Sequence, residues 1–161
     1  MSVRAVFFAV LAALAACSPM TADAGQKAAA AAPARHPVSG LEIVPLTIVS
    51  ANGRRAFRVE VARSGEEQAK GLMFRTAMGA SEGMIFPMEP ARQASFWMRN
   101  TVISLDLVFI GPDRRIESIA ANAVPYSLSP IGSRGSVSAV LELNGGRAAQ
   151  LGLTPGDRVE W

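Results

Sequence analysis

Residues 96–110, FWMRNTVISLDLVFI, restrict the fold of this chain more than any other stretch. They hold its densest run of aromatic and β-branched side chains, which suit a pleated, half-buried surface. At a strand's period of two, Leu105, Leu107 and Phe109 share one face while Asp106, Val108 and Ile110 share the other. Asp106 is therefore set among apolar neighbours, where an ionised carboxylate needs donors, either Arg75 or backbone N–H groups. Just upstream, Phe96, Met98 and Asn100 would share one face of a strand, and Trp97, Arg99 and Thr101 the other. Residues 81–87 read as a turn followed by a short strand, with which residues 94–98 are expected to pair.

The flanking segments carry the same period. Residues 41–49 are β-rich but broken by Pro45, which suits an edge strand or a bulge. Asn52-Gly53 is a hairpin signal, and the return strand, residues 56–61, sets Phe57, Val59 and Val61 against Arg58 and Glu60. Ser64 with Glu67 three residues on forms a capping box for a short helix that Gly71 stops, after which Leu72, Met73 and Phe74 should enter the core. Beyond the turn at Gly111-Pro112-Asp113, residues 116–119 and 136–143 are expected as strands. In the latter, Val137, Ala139, Leu141 and Leu143 alternate with Ser136, Ser138, Val140 and Glu142. Residues 124–134 form a loop, residues 147–151 a single helical turn ended by Gly152, and residues 158–161 a last strand. The pattern predicts one mostly β domain, an antiparallel barrel-like or sandwich-like fold with one or two short helices.

The N-terminus has a different character. One arginine, Arg4, precedes an unbroken apolar run of 12 residues, 5–16. A membrane-spanning helix needs roughly 20 apolar residues, so the run fits the core of a secretory signal peptide instead. It ends Leu14-Ala15-Ala16-Cys17, which resembles the lipobox of bacterial lipoproteins; cleavage after Ala24 is the alternative. Residues 1–16 are thus expected as signal peptide, and 17–37 as a lipidated Cys17 followed by an Ala/Pro tether. Residues 38–161 are the expected domain. Several acyl chains would hold the protein to a membrane, since one chain binds only marginally. Ser18 after the cysteine favours the outer membrane, on its periplasmic side.

What the domain lacks limits its chemistry. Cys17 is the single cysteine and His36 the single histidine, and both fall in the segment assigned to anchor and tether. Residues 38–161 therefore offer no Ser-His-Asp or Cys-His nucleophile and no histidine-bearing metal site, and no cofactor is expected. Without residues 1–37 the chain retains 13 basic and 12 acidic residues, with no basic stripe of the kind that neutralises many phosphates, so nucleic acid is not an expected partner.

Residues 71–75 (GLMFR), 82–86 (EGMIF), 96–101 (FWMRNT) and 105–110 (LDLVFI), with Leu141-Glu142-Leu143, Asn144-Gly145-Gly146 and the closing 153–157 (LTPGD), resemble in order and spacing the family called domain of unknown function 192. The likeness covers roughly residues 41–161. It implies a compact, mostly antiparallel β-fold with one or two short helices, and no established activity.

For function, two uses of the central stretch stand side by side. Asp106, Asn100 and Thr101 could bind a strand-to-strand turn together, as buried polar side chains commonly do. Alternatively Trp97, Asn100, Thr101 and Asp106 surround a cleft for a small polar ligand, carbohydrate among the candidates, with Arg75 holding an anionic group or pairing with Asp106. The expected role is a non-enzymatic binding module for such a ligand or for an envelope protein. Two rivals are a carboxylate-based hydrolase of envelope carbohydrate, using Glu82 or Asp106, and copper binding by Met73, Met84 and Met98. Methionines that merely fill a small core are the simpler use of those side chains.

Overall fold

The computed structural model describes residues 34–161, so the expected signal segment, Cys17 and most of the tether lie outside the described residues. Nine strands and two short helices follow in order. They are β1 (Ile43–Ser50), β2 (Gly53–Val61), α1 (Gly65–Lys70), β3 (Glu82–Arg92), β4 (Ser95–Phe96), β5 (Leu105–Ile110), β6 (Ile116–Ala123), β7 (Ile131–Gly132), β8 (Val137–Asn144), α2 (Arg147–Leu151) and β9 (Arg158–Glu160). Seven strands form one sheet in the order β6-β5-β8-β3-β2-β1-β9, and β4 pairs with β7 in a separate ribbon.

The mostly β class with two short helices holds, but the sheet is mixed. β2 and β3 run parallel, with Val59 opposite Gly83 and Val61 opposite Ile85. A parallel pair needs a crossover, which α1 and the segment after it provide. The Ser64 side chain accepts from the Glu67 backbone N–H at 3.2 Å while the Glu67 carboxylate accepts from the Ser64 N–H at 2.8 Å, completing the expected capping box. Gly71, at φ +46°, ends the helix. The hairpin at Asn52 also forms, with Gly53 already paired to Ser50 as the first residue of β2.

The sheet curls without closing into a barrel. At one end its two edges meet: Ile116 donates to the Asp157 carbonyl, and Val159 to the Arg114 carbonyl, each at 2.8 Å. Inside the curl lies one apolar cluster, including Leu46, Ile48, Phe57, Ile85, Val108 and Leu141. A second cluster, with Met84, Phe86, Met98, Leu107, Phe109 and Val140, fills the other face of β3, β5 and β8. Fully burying each such side chain contributes about 1.5–3 kcal/mol. The central strands are thus buried on both faces. Gly83 serves this packing, because a Cβ there would lie 2.6 Å from the Glu142 carbonyl oxygen on β8.

Three local expectations are corrected. Residues 94–98 do not pair beside β3. Only Ser95 and Phe96 are extended, and they pair with β7, because Met98 and Thr101 are drawn into a turn in which Met98 donates to the Ser127 carbonyl and Thr101 to the Met98 carbonyl. Phe74 does not enter the core. It stands at φ +62° with its N–H on the Asn100 carbonyl and its ring exposed. Nor do residues 34–37 belong to a tether, since Ile43 donates to the Ala34 carbonyl at 2.7 Å and His36 to the Leu41 carbonyl at 2.8 Å, folding this segment onto the domain.

Candidate functional site

The residues singled out in the sequence separate into distinct places. Asp106 is fully buried on the inner face of β5, as the alternation requires. Its donors are backbone groups, not Arg75: Oδ1 accepts from the N–H of Asn122 at 2.8 Å and of Gly146 at 2.9 Å, and Oδ2 from Ala148 at 2.7 Å. Gly146, the N-cap of α2, has no side chain to offer, so Asp106 caps that helix from a neighbouring strand. Both carboxylate oxygens are committed to structure, and Asp106 shares no turn with Asn100 or Thr101.

Arg75 instead holds Glu60. Nη1 donates to Oε1 at 2.9 Å and Nη2 to Oε2 at 3.1 Å, a bidentate pair with both side chains largely buried. The Ser39 hydroxyl donates to the same Oε2. His36, placed in the tether by its sequence context, stands beside this pair, with Nε2 3.4 Å from Arg75 Nη1 and Nδ1 3.6 Å from Glu60 Oε2. The cluster fastens residues 34–39 to β2.

Trp97 and Thr101 line a cavity of about 350 Å³ on the outer face of the sheet. Its walls come from the end of α1 and the residues after it, from β3, and from residues 93–101; Leu72, Met73, Met88 and Phe96 supply apolar surface. Phe96 is fixed edge-on against Phe86, with ring centroids 5.1 Å apart. Trp97 is half-exposed at the rim, with the Arg99 guanidinium 5.5 Å from its ring centre. Thr101 is buried and its hydroxyl donates to the Arg99 carbonyl. Asn100 sits outside the lining, its amide nitrogen 3.9 Å from the Met73 sulfur. Met84 and Met98 are buried among Leu and Phe in the apolar cluster, and only Met73 of the three candidate thioethers reaches the cavity.

The residue that gives this cavity chemical character is Glu142, on β8. It is 95% buried, its relative exposure being 5%, and no hydrogen bond reaches its carboxyl from the described residues. Burial alone pushes its pKa up from 4.5 to about 8, with no charged neighbour offsetting the shift. Burial thus favours the protonated acid, which can donate a hydrogen bond into the cavity. Sequence reasoning set Glu142 on the polar side of an alternating strand. The contrary signal was Val140, which shares that side: an apolar residue at the centre of a supposedly wet face marks a strand covered on both sides. Lys70, Arg92 and Arg99, also missed, stand at the mouth as exposed cations, and among the described residues Glu142 is the one acid in the lining.

A second depression, about 610 Å³, lies against residues 38–41 and α1 and includes Arg75, Phe74 and Glu66. Arg75 is already bound to Glu60 there and Glu67 to its capping box, so its charged groups are in part spoken for.

Residues 47–161 match the profile of DUF192, described as an uncharacterized ACR. A crystal structure of a protein of unknown function from Novosphingobium aromaticivorans DSM 12444 is 62% identical and superposes with a TM-score of 0.79, covering 82% of this chain and 94% of that one. A Sinorhizobium meliloti 1021 protein, provisionally named a transcription regulator, is 39% identical with a TM-score of 0.73, covering 74% of this chain and 94% of its own. No curated protein matches the chain.

Proposed function

The chain belongs to the DUF192 family, and from that premise we propose that it is a non-enzymatic binding module that takes a small polar ligand in the Glu142 cavity. The observation that carries this reading is the Glu142 carboxyl, which has no hydrogen-bond partner among the described residues and lines a cavity of mixed polar and apolar surface. Burying a carboxyl is costly, and a ligand that hydrogen-bonds it in the cavity offsets part of that cost on binding. Apolar walls with a few placed polar groups are the usual design of a small-molecule site. Trp97 at the rim adds a flat surface for stacking a ring, as a sugar or an aromatic group would.

The two-acid hydrolase is disfavoured by the same geometry. Glycoside hydrolysis uses a pair of carboxyl groups across the scissile bond, whereas among the described residues Glu142 is the single acid lining this cavity, and Asp106 caps α2 with both oxygens. Together with the lipobox at Cys17, the proposal places this module on a lipid anchor at the periplasmic side of the cell envelope, the outer membrane favoured, with an envelope ligand as its cargo.

The test is a thermal-shift panel on the full chain with sugars, peptidoglycan fragments, metals and small acids. A ligand at about 100 times its Kd should stabilise the fold by about 2.7 kcal/mol. The expected result is a shift that Glu142→Ala and Trp97→Ala variants lose while still folding. Shifts that survive both substitutions would move the site elsewhere, and a silent panel would favour a protein partner.

A further inference from the structure

We propose that the ligand is a small organic anion, its negative group held at the mouth between Lys70, Arg92 and Arg99, its apolar body against Phe96 and Met88, and a hydrogen-bond acceptor at its far end on Glu142. This inference rests on the Glu142 cavity being the binding site.

Charge distribution selects the anion. The three cations come from separate elements, Lys70 from the last turn of α1, Arg92 from the end of β3 and Arg99 from the turn after β4, yet all line the one cavity. None is in an ion pair among the described residues, a condition they share with Arg35, Arg55, Arg58, Arg114, Arg115, Arg134 and Arg147, so it is their gathering at one cavity that sets them apart. Three cations around one cavity, Arg99 also lying over the Trp97 ring, bias its potential positive and favour anions over amines, although Lys70 also borders a hollow with Glu66 and Glu67 and Arg92 one with Glu89. The Arg forks suit a carboxylate or a phosphate ester, which they can grip through paired N–H groups. At the far end Glu142 faces the opposite requirement: as the protonated acid it donates a hydrogen bond, and as the carboxylate it would repel the anion.

Affinity is therefore linked to protonation. The groups facing Glu142 across the cavity are Lys70, Arg92 and Arg99 at the mouth, with Thr101, Met73 and Phe96 between, and no second acid lines it among the described residues. Binding of the anion should hold through neutral pH and weaken as Glu142 ionises. Raised salt should weaken it as well, because exposed cations are screened.

The experiment is a titration of the full chain, isotope-labelled for NMR, with three matched sets of small ring compounds carrying a carboxylate, a carboxamide or an amine at one end and a ketone at the other. The expected result is that the carboxylates bind at least about tenfold tighter, perturb Trp97 and Thr101, and lose about threefold or more on each of Lys70→Gln, Arg92→Gln and Arg99→Gln. Their affinity should fall as pH rises past neutrality in the parent protein and stay level in Glu142→Gln. Carboxamides or amines that bind as tightly, in a manner that still depends on Glu142, would overturn the anion assignment and leave the cavity as the site. Carboxylate binding indifferent to the mouth substitutions would overturn it too. Failure of all three sets to perturb the cavity would remove both the anion and the site.

Discussion

Asp106 Oδ2 accepts the backbone N–H of Ala148 at 2.7 Å, so a strand side chain caps a helix 42 residues further along the chain. With Asn122 and Gly146 on Oδ1, this carboxylate ties β5 to β6 and to the start of α2. Asp106→Asn places an amide N–H₂ against one of these donors and removes the charge the others point at. The expected loss is about 1.5–3 kcal/mol, the range for hydrogen bonds to a charged group. Urea unfolding measures it, and a loss below about 0.5 kcal/mol would refute the capping role.

Glu60 and Arg75 form the other buried polar anchor. Removing one partner leaves the second charge buried and unpaired, so Arg75→Ala should cost about 3–5 kcal/mol. Glu60→Gln on that background should recover part of the loss, because it removes the stranded charge. Two losses that simply add would show that the residues are not coupled.

Glu142 should make stability depend on pH with an unusual sign. Its pKa is about 8 in the folded protein and 4.5 ordinarily, so between those values the folded state holds a proton that the unfolded chain has released. Stability from this group is complete below the lower value, falls by up to about 1.4 kcal/mol per pH unit as pH rises between the two, and levels off above the higher. Glu142→Gln removes this component. Urea midpoints compared in acid and in mild alkali should converge for the variant relative to the parent; an unchanged gap would mean that Glu142 is ionised or solvated in the folded protein.

Cys17 should carry the membrane anchor. Cells fed an alkyne-tagged fatty acid should label the parent protein, and Cys17→Ala should abolish the label and release the protein from the membrane fraction. Labelling that persists without Cys17, or a mature N-terminus at Gly25, would show that the lipobox is not used.

Local chemistry carried much of the fold in the sequence. The Ser64–Glu67 capping box, the stop at Gly71, the hairpin at Asn52-Gly53 and the two faces of residues 105–110 all depend on neighbours a few positions apart, and all appear in the structure where they were expected. The need of Asp106 for donors was equally plain, since its place among apolar residues follows from strand alternation alone. The identity of those donors, like the choice of Glu60 over Asp106 as the partner of Arg75, was not, because each depends on which distant strands become neighbours. The parallel β2–β3 pairing lies in the same class: it is set by how the chain crosses after α1. The candidate site depended most on tertiary structure. Glu142 looks like one more polar residue on an alternating strand until β3 and β5 flank β8 and the segments around Leu72 and Phe96 cover its second face. Strand period alone determines which side of a sheet a residue faces, whereas only the packed chain decides whether that side is wet.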